Sequence, residues 1–293
     1  MKAALIQQSP AADRDTSLST TEKAIRKVAA AGTDLVLLCE LHTGPYFCQT
    51  EDPVHFDRAE PIPGPTTERL GRLAAELGMV IVASLFERRT EGLCHNTAVV
   101  LERDGTIAGR YRKMHIPDDP GYYEKYYFAP GDLGFTPIDT SVGRLGILIC
   151  WDQWFPEAAR LMALAGADLL LYPTAIGWDP ADDTGERERQ LEAWITVQRG
   201  HAIANGLPLL ACNRTGFEPN PDGRSAGIRF WGNSFACGPQ GELLARAGAE
   251  HPENLMVELA PECSTRVRRT WPFLRDRRID AYGDLLRLYR NDQ

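Results

Sequence analysis

The sequence predicts an α/β fold with mixed sheets, and three observations carry that expectation. Apolar runs of strand length alternate with segments of helical period along most of the chain. Turns at Asp104-Gly105 and at Gly241 join neighbouring apolar runs as hairpins, and no Gly/Ser linker or shift in composition divides the 293 residues. With 43% hydrophobic residues the chain can fill a sizeable core, so one domain over 1–293 is expected.

Taken in order, KAALIQQ is the first strand, and a helix follows over about 16–31, with capping-box spacing from Ser19 to Glu22 and a stop at Gly32. TDLVLLCE is a strand, about 66–77 a helix, and MVIVASLFE a strand. HNTAVVLE and GTIAGRYRK flank Arg103-Asp104-Gly105 as a hairpin. A loop rich in Pro, Gly and Tyr covers 117–131. The strand RLGILIC ends on Cys150, with a helix over about 156–165 behind it, then the strand ADLLLYPT and a long helix over about 186–205. On that helix Leu191, Ile195, Gln198 and Ala202 share one face. LPLLACNR, RFWGNSFACG, ELLARA and NLMVELA read as further strands. From about residue 262 the chain is rich in Arg and aromatic residues and reads as a tail packing at a subunit interface.

Bulk properties exclude several classes. No apolar run reaches the length of a membrane span, and the N-terminal MKAALIQQSP reads as a first strand, not a signal peptide, so a cytoplasmic protein without a membrane partner is expected. Seven cysteines, an odd number with no CxxC pair, argue against a disulfide framework or a structural zinc site. A formal net charge of −8 disfavours nucleic acid and slightly favours a small cationic partner.

Three apolar strands end on residues that can do chemistry: DLVLLCE on Glu40, GTIAGRYRK on Lys113 and RLGILIC on Cys150. Ligands in α/β sheets gather at strand ends, so the three can converge on one pocket. A thiol attacks as thiolate, a carboxylate can take its proton, and an ammonium can stabilise both the thiolate and the oxyanion formed at an attacked carbonyl. Each also has a plainer reading: Glu40 as a loop carboxylate, Lys113 as a solvated charge beside Arg110 and Arg112, Cys150 as core.

The blocks CELHTGPYFCQ, YRKMHIPDDPGYYEKYYFAPGDLGF, ILICWDQWFPEAARLMALAGADLLLYPTAIG and QRGHAIANGLPLLACNRTG decide between them. In this order they resemble the signature blocks of the nitrilase superfamily of carbon-nitrogen hydrolases. The resemblance implies a four-layer αββα sandwich and a catalytic set of Glu40, Lys113 and Cys150, with Glu124 in PGYYEKYYF as the supporting glutamate. It implies Cys150 as nucleophile, Glu40 as proton carrier, and an oxyanion held by Lys113 and the backbone amide of Trp151, with no metal or organic cofactor.

The same resemblance implies a small cationic carbamoyl amine as substrate: N-carbamoylputrescine, split to putrescine, carbon dioxide and ammonia in polyamine biosynthesis from agmatine. It matches Tyr46 in TGPYF and Asp179 in TAIGWDP to the residues that hold the distal ammonium, with Asp179 one methylene shorter than the glutamate of the pattern. Asp179, before Pro180, can also simply open a turn. Another carbamoyl amine, a β-ureido acid, or a non-catalytic assembly role are the alternatives. An anionic substrate would call for an arginine at the distal end, and the intact catalytic positions disfavour assembly alone. His115 and His201 receive no proton-transfer role, and Met114, Trp154 and Phe155 are read as wall or core. Trp271, Phe273 and Leu274 in the tail suggest a homo-oligomer, at least a dimer.

Overall fold

The first strand, β1 (Lys2–Gln7), turns Ala3 and Leu5 to one side and Ala4 and Ile6 to the other, and all four are buried. A strand covered on both faces reads as an apolar run because no face is left for polar residues. The computed structural model describes residues 1–290 and repeats this device through its sheets.

After β1 come α1 (Arg14–Ala29), β2 (Leu35–Leu38), α2 (Pro65–Leu77), β3 (Val80–Thr90), β4 (Leu93–Leu101) and β5 (Ile107–Arg112). The chain continues through β6 (Ile138–Thr140), β7 (Gly143–Ile147), α3 (Pro156–Leu164), β8 (Leu169–Pro173), β9 (Gly177–Trp178) and α4 (Thr184–Asn205). It ends with β10 (Leu209–Cys212), β11 (Thr215–Pro219), β12 (Gly227–Trp231), β13 (Phe235–Cys237), β14 (Leu243–Arg246), β15 (Glu253–Glu258) and α5 (Pro261–Thr270).

One mixed sheet has the order β15-β1-β2-β3-β4-β5 and a second the order β14-β13-β10-β8-β7-β6, while β11, β12 and β9 form a small third sheet. Ala4, Ile6, Val36 and Leu38 pack with Ile25 and Val28 of α1 and Leu70 and Leu73 of α2. The opposite face of the same strands, Ala3, Leu5, Leu35 and Leu37, joins Leu145 and Ile147 of β7 and Leu169 and Leu171 of β8 in the central core. Ala158 and Met162 of α3 and Trp194, Ile195 and Ala202 of α4 complete that core. The layers therefore run helix, sheet, sheet, helix. Parallel β1-β2-β3 and β7-β8-β10 bring strand ends of the two sheets to a common edge, where the Glu40 N–H donates to Thr174 O across the sandwich at 3.2 Å.

Several local expectations are corrected. Helix α1 is capped by Asp13, whose Oδ1 accepts from Thr16 N at 2.8 Å, and not by a Ser19–Glu22 box, which falls inside the helix. RFWGNSFACG does not form one strand. Gly232 and Asn233 take φ of +57° and +52°, and the chain leaves the small sheet there to enter the second one. Helix α4 buries Ile195, Gln198 and Ala202 as expected, together with Trp194 and His201, while Leu191 stays half-buried. The tail opens with α5; Trp271 and Phe273 are exposed and Leu274 is half-buried. Residues 291–293 of the tail lie outside the described residues. Among the described residues no helix is long and apolar enough to cross a membrane.

Candidate active site

The end of β2, the end of β5, the loop before β6 and the turn after β7 meet at the common edge. Glu40, Lys113, Glu124 and Cys150 are all buried there. Lys113 Nζ donates to Glu40 Oε1 at 2.8 Å and to Glu124 Oε2 at 2.7 Å. Two carboxylates around one ammonium make burial tolerable, since a single unpaired charge would cost several kcal/mol.

Each side chain is fixed by its backbone. The Lys113 N–H donates to Asn96 O of β4 at 2.9 Å, and its carbonyl accepts from Gly131 N at 2.8 Å. A Cβ at Gly131 would lie 2.1 Å from Arg112 O, so only glycine lets the returning loop run this close to the lysine. Asn96 Nδ2 donates to Glu40 Oε1 at 2.7 Å, with its own oxygen accepting from Ser84 Oγ at 3.0 Å. The other oxygen, Glu40 Oε2, has no donor. A carboxylate oxygen without a donor keeps its lone pairs available.

Regular β7 pairing stops at Ile147, and Cys150 opens a short turn of 3-10 helix over Cys150–Trp154 with φ +44°. That left-handed conformation costs a non-glycine residue roughly 1–3 kcal/mol, which the surrounding contacts must offset. Asp152 supplies them: its Oδ2 accepts from Ile149 N and Tyr111 Oη, both at 2.8 Å, and its Oδ1 accepts from His115 N at 3.0 Å. The His115 ring Nδ1 lies 2.7 Å from the same Oδ1, and the ring stacks on Phe155 at 3.8 Å, so His115 is anchored to the turn and not to the thiol. The Cys150 thiol itself approaches Ala175 O at 3.8 Å. His201 is buried on α4 against Tyr172 Oη, 2.9 Å from its Nδ1.

Electrostatics assign protonation states. Burial pushes the Cys150 thiol well above its usual range, nearby Glu40 pushes it further, and Lys113 only partly opposes them. Cys150 therefore rests as a thiol, which would need a base to become a thiolate. Burial alone would lower the Lys113 value, but Glu124 and Glu40 overcome it and hold the ammonium charged far above the ordinary lysine range. Burial raises Glu124 to about 7 against the pull of Lys113, and Glu40 adds to the rise.

A cavity of about 460 Å³ opens onto Cys150. Tyr122, Trp151, Trp154 and Trp231 wall it, Glu124 reaches its base, and Asp119, Asp179 and Asp182 lie along it; no Lys, Arg or His is among its described lining residues. Asp179 is exposed, and its Oδ1 accepts from Ala181 N at 2.9 Å, so it does open a turn as well as face the cavity. Tyr46 is not brought to this wall. It is buried behind Glu124, and its hydroxyl donates to Glu124 Oε1 at 2.6 Å. That donation leaves the hydroxyl oxygen able to accept, but Tyr46 is not among the described residues that line the cavity.

Asn96, Asp119, Asp152 and Asp182 were not singled out by the sequence reading. A polar Asn inside the otherwise apolar HNTAVVLE was the available signal for Asn96, and the carboxylate in CWD was the one for Asp152.

Residues 2–269 match the sequence profile of the family described as carbon-nitrogen hydrolase. An N-carbamoylputrescine amidase of Solanum lycopersicum is 47% identical over 279 residues, which cover 94% of this chain and 91% of that protein. A citrullinase of Francisella tularensis is 39% identical over 291 residues, 99% of each chain. The crystal structure of a carbon-nitrogen hydrolase from Helicobacter pylori G27 superposes with a TM-score of 0.97 at 52% identity, again covering 99% of each chain.

Proposed function

The chain belongs to the carbon-nitrogen hydrolase family, and on that premise we propose that it hydrolyses N-carbamoylputrescine to putrescine, carbon dioxide and ammonia. The observation that carries the substrate choice is the charge of the cavity. Asp119, Asp179 and Asp182 lie along it with no cationic side chain among its described lining residues, which favours a distal ammonium and disfavours a distal carboxylate. Citrulline would bring an α-carboxylate into the same space.

In this reading Glu40 Oε2 takes the Cys150 proton as sulfur attacks the ureido carbon. The new oxyanion is held by the Lys113 ammonium and the Trp151 backbone amide. Glu40 then gives the proton to the leaving nitrogen. The C–N bond breaks and a carbamoyl thioester remains on Cys150. Water, deprotonated by Glu40, attacks the thioester carbon, the thiol leaves with the proton, and the carbamic acid released loses carbon dioxide as its remaining C–N bond breaks. Either ureido nitrogen can depart first with the same final products. Glu124 keeps Lys113 charged throughout. Asp179, with its second oxygen free of the turn, is the proposed contact for the distal ammonium.

We take residues 1–293 as one domain, because β15 closes the sheet beside β1, and the tail from about 262 as an element of a subunit interface in at least a dimer. A cytoplasmic setting goes with seven free thiols, six of them buried.

The test is release of amine and ammonia from a panel: N-carbamoylputrescine, citrulline, a β-ureido acid, and an uncharged analogue with methyl in place of the ammonium. The first should lead by at least tenfold in kcat/KM; preference for either acid would overturn the reading. Because Asp179 is exposed and screened by water, Asp179→Asn should lose roughly 0.5–1 kcal/mol, about two- to five-fold in kcat/KM, on the charged substrate alone. Equal losses on both substrates would make Asp179 a turn residue.

A further inference from the structure

Arg214 is completely buried between β10 and β11, and it spends its guanidinium on the loop that follows Glu40. Its Nε donates to Glu40 O at 3.1 Å, its Nη1 to Gly44 O at 3.0 Å, and its Nη2 to Leu41 O. Those carbonyls belong to a stretch with no strand partner, in which Leu41 takes φ +48°. Nη1 also donates to Glu218 Oε1 at 2.9 Å, and Glu218 Oε2 accepts from Tyr46 N at 2.6 Å. Tyr46 in turn donates to Glu124. A single guanidinium thus grips the loop at Glu40, and through Glu218 it grips the same loop at Tyr46.

We infer that Arg214, paired with Glu218, is a positioning residue that sets both carboxylates flanking Lys113. The inference rests on the reading that Glu40 is the proton carrier for Cys150. It touches neither the thiol nor the cavity, and it acts through backbone. Only a planar fork with five N–H donors can serve three carbonyls and a carboxylate at once; a lysine has one nitrogen and no such geometry. A shift of about 1 Å in a proton carrier costs on the order of a hundredfold in rate, so slack in this loop is read directly in catalysis.

The experiment uses the full-length protein with Glu218→Gln, which keeps volume but cannot accept both bonds, and with Arg214→Lys. Turnover of N-carbamoylputrescine should fall by about ten- to a hundred-fold in kcat, with KM changed by less than about threefold. Alkylation of Cys150 by chloroacetamide should slow in the same proportion, because it too needs Glu40 to take the thiol proton. The decisive arm repeats Glu218→Gln in a Glu40→Gln background. If Glu218 acts through Glu40, it adds little to the alkylation rate there. An equal slowing in both backgrounds, or a folded Glu218→Gln with wild-type kcat and a lowered Tm only, overturns the proposal. Alkylation involves no substrate, so failure of the substrate panel leaves this test standing.

Discussion

Tyr46→Phe separates two readings of one hydroxyl, as donor to Glu124 and as acceptor from a distal ammonium. The buried Tyr46 hydroxyl donates to Glu124 Oε1 at 2.6 Å, and burial and the neighbouring carboxylates keep it protonated far above the ordinary tyrosine range. Removing it leaves a buried carboxylate oxygen without that donor. A hydrogen bond to a charged group contributes about 1.5–3 kcal/mol, and 1.36 kcal/mol corresponds to one pKa unit, so the Glu124 value should rise by about 1–2 units. The starting value is about 7. The sign follows from the role of Glu124. Its anion sustains the charge on Lys113, so activity is lost as pH falls through the Glu124 value, and raising that value moves the acid limb of kcat/KM to higher pH. The assay is a pH profile of kcat/KM for wild type and variant, with an expected displacement of about 1–2 units. If Tyr46 instead held the distal ammonium, the variant would raise KM for N-carbamoylputrescine, spare the uncharged analogue and leave the profile in place. That outcome would refute the argument.

Cys150→Ser should melt like the wild type yet release no ammonia above background, because a serine hydroxyl is a far weaker nucleophile; near-normal turnover would remove Cys150 from the mechanism. Glu40→Gln should both slow alkylation of Cys150 and stall thioester hydrolysis, and unchanged turnover would eliminate its proton-carrying role. Burial depresses His42 and His201 to about 4, so each remains neutral in the folded chain while the unfolded chain binds a proton near 6.5. Stability is then complete above about pH 6.5 and declines from there to about pH 4, by up to about 1.4 kcal/mol per unit for each histidine. His201→Gln should flatten the fall of Tm in that window, and an unaltered slope would show that His201 does not contribute. Exposed Trp271, Phe273, Leu285 and Leu286 should be covered in solution, giving at least a dimer by light scattering at micromolar concentration; a monomeric mass would contradict the interface.

What could be read from the sequence follows from how each feature is encoded. Strands covered on both faces appear as unbroken apolar runs, so β1, β2, β3, β7 and β8 were legible, and Glu40 and Cys150, just beyond β2 and β7, could be named as chemistry-bearing. Exact strand ends were not, because Leu148 and Ile149 look as apolar as the paired residues before them. The sheet change at Gly232-Asn233 is encoded only by backbone conformations that glycine and asparagine tolerate. The second tier of the site was invisible for a different reason. Arg214 reaches Glu40, and Tyr46 reaches Glu124, across sequence separations of 174 and 78 residues, and no local period records such contacts. For Tyr46, family matching suggested substrate contact while the structure puts its hydroxyl on a carboxylate.

The double pairing of Lys113 becomes intelligible when charge is followed through the proposed cycle. With the thiol protonated and Glu124 ionised, as it is above its value of about 7, Glu40, Glu124 and Lys113 together carry one negative charge. Moving the thiol proton to Glu40 leaves that total unchanged, since the thiolate replaces the carboxylate, and attack then moves the same charge onto the substrate oxygen. A buried site changes its total charge only at a large desolvation cost, so a cycle that merely relocates one charge avoids it. Yet the relocation removes one of the two anions from Lys113 at the moment its ammonium is needed. Glu124 is the anion that stays, 2.7 Å away, and it does not exchange a proton with sulfur or substrate. A single carboxylate beside Lys113 would have to neutralise itself as base and hold the lysine charged at once. The second one divides those tasks, which is why the donor that Tyr46 contributes to Glu124 should be felt in the pH dependence of the reaction more than in the affinity for substrate.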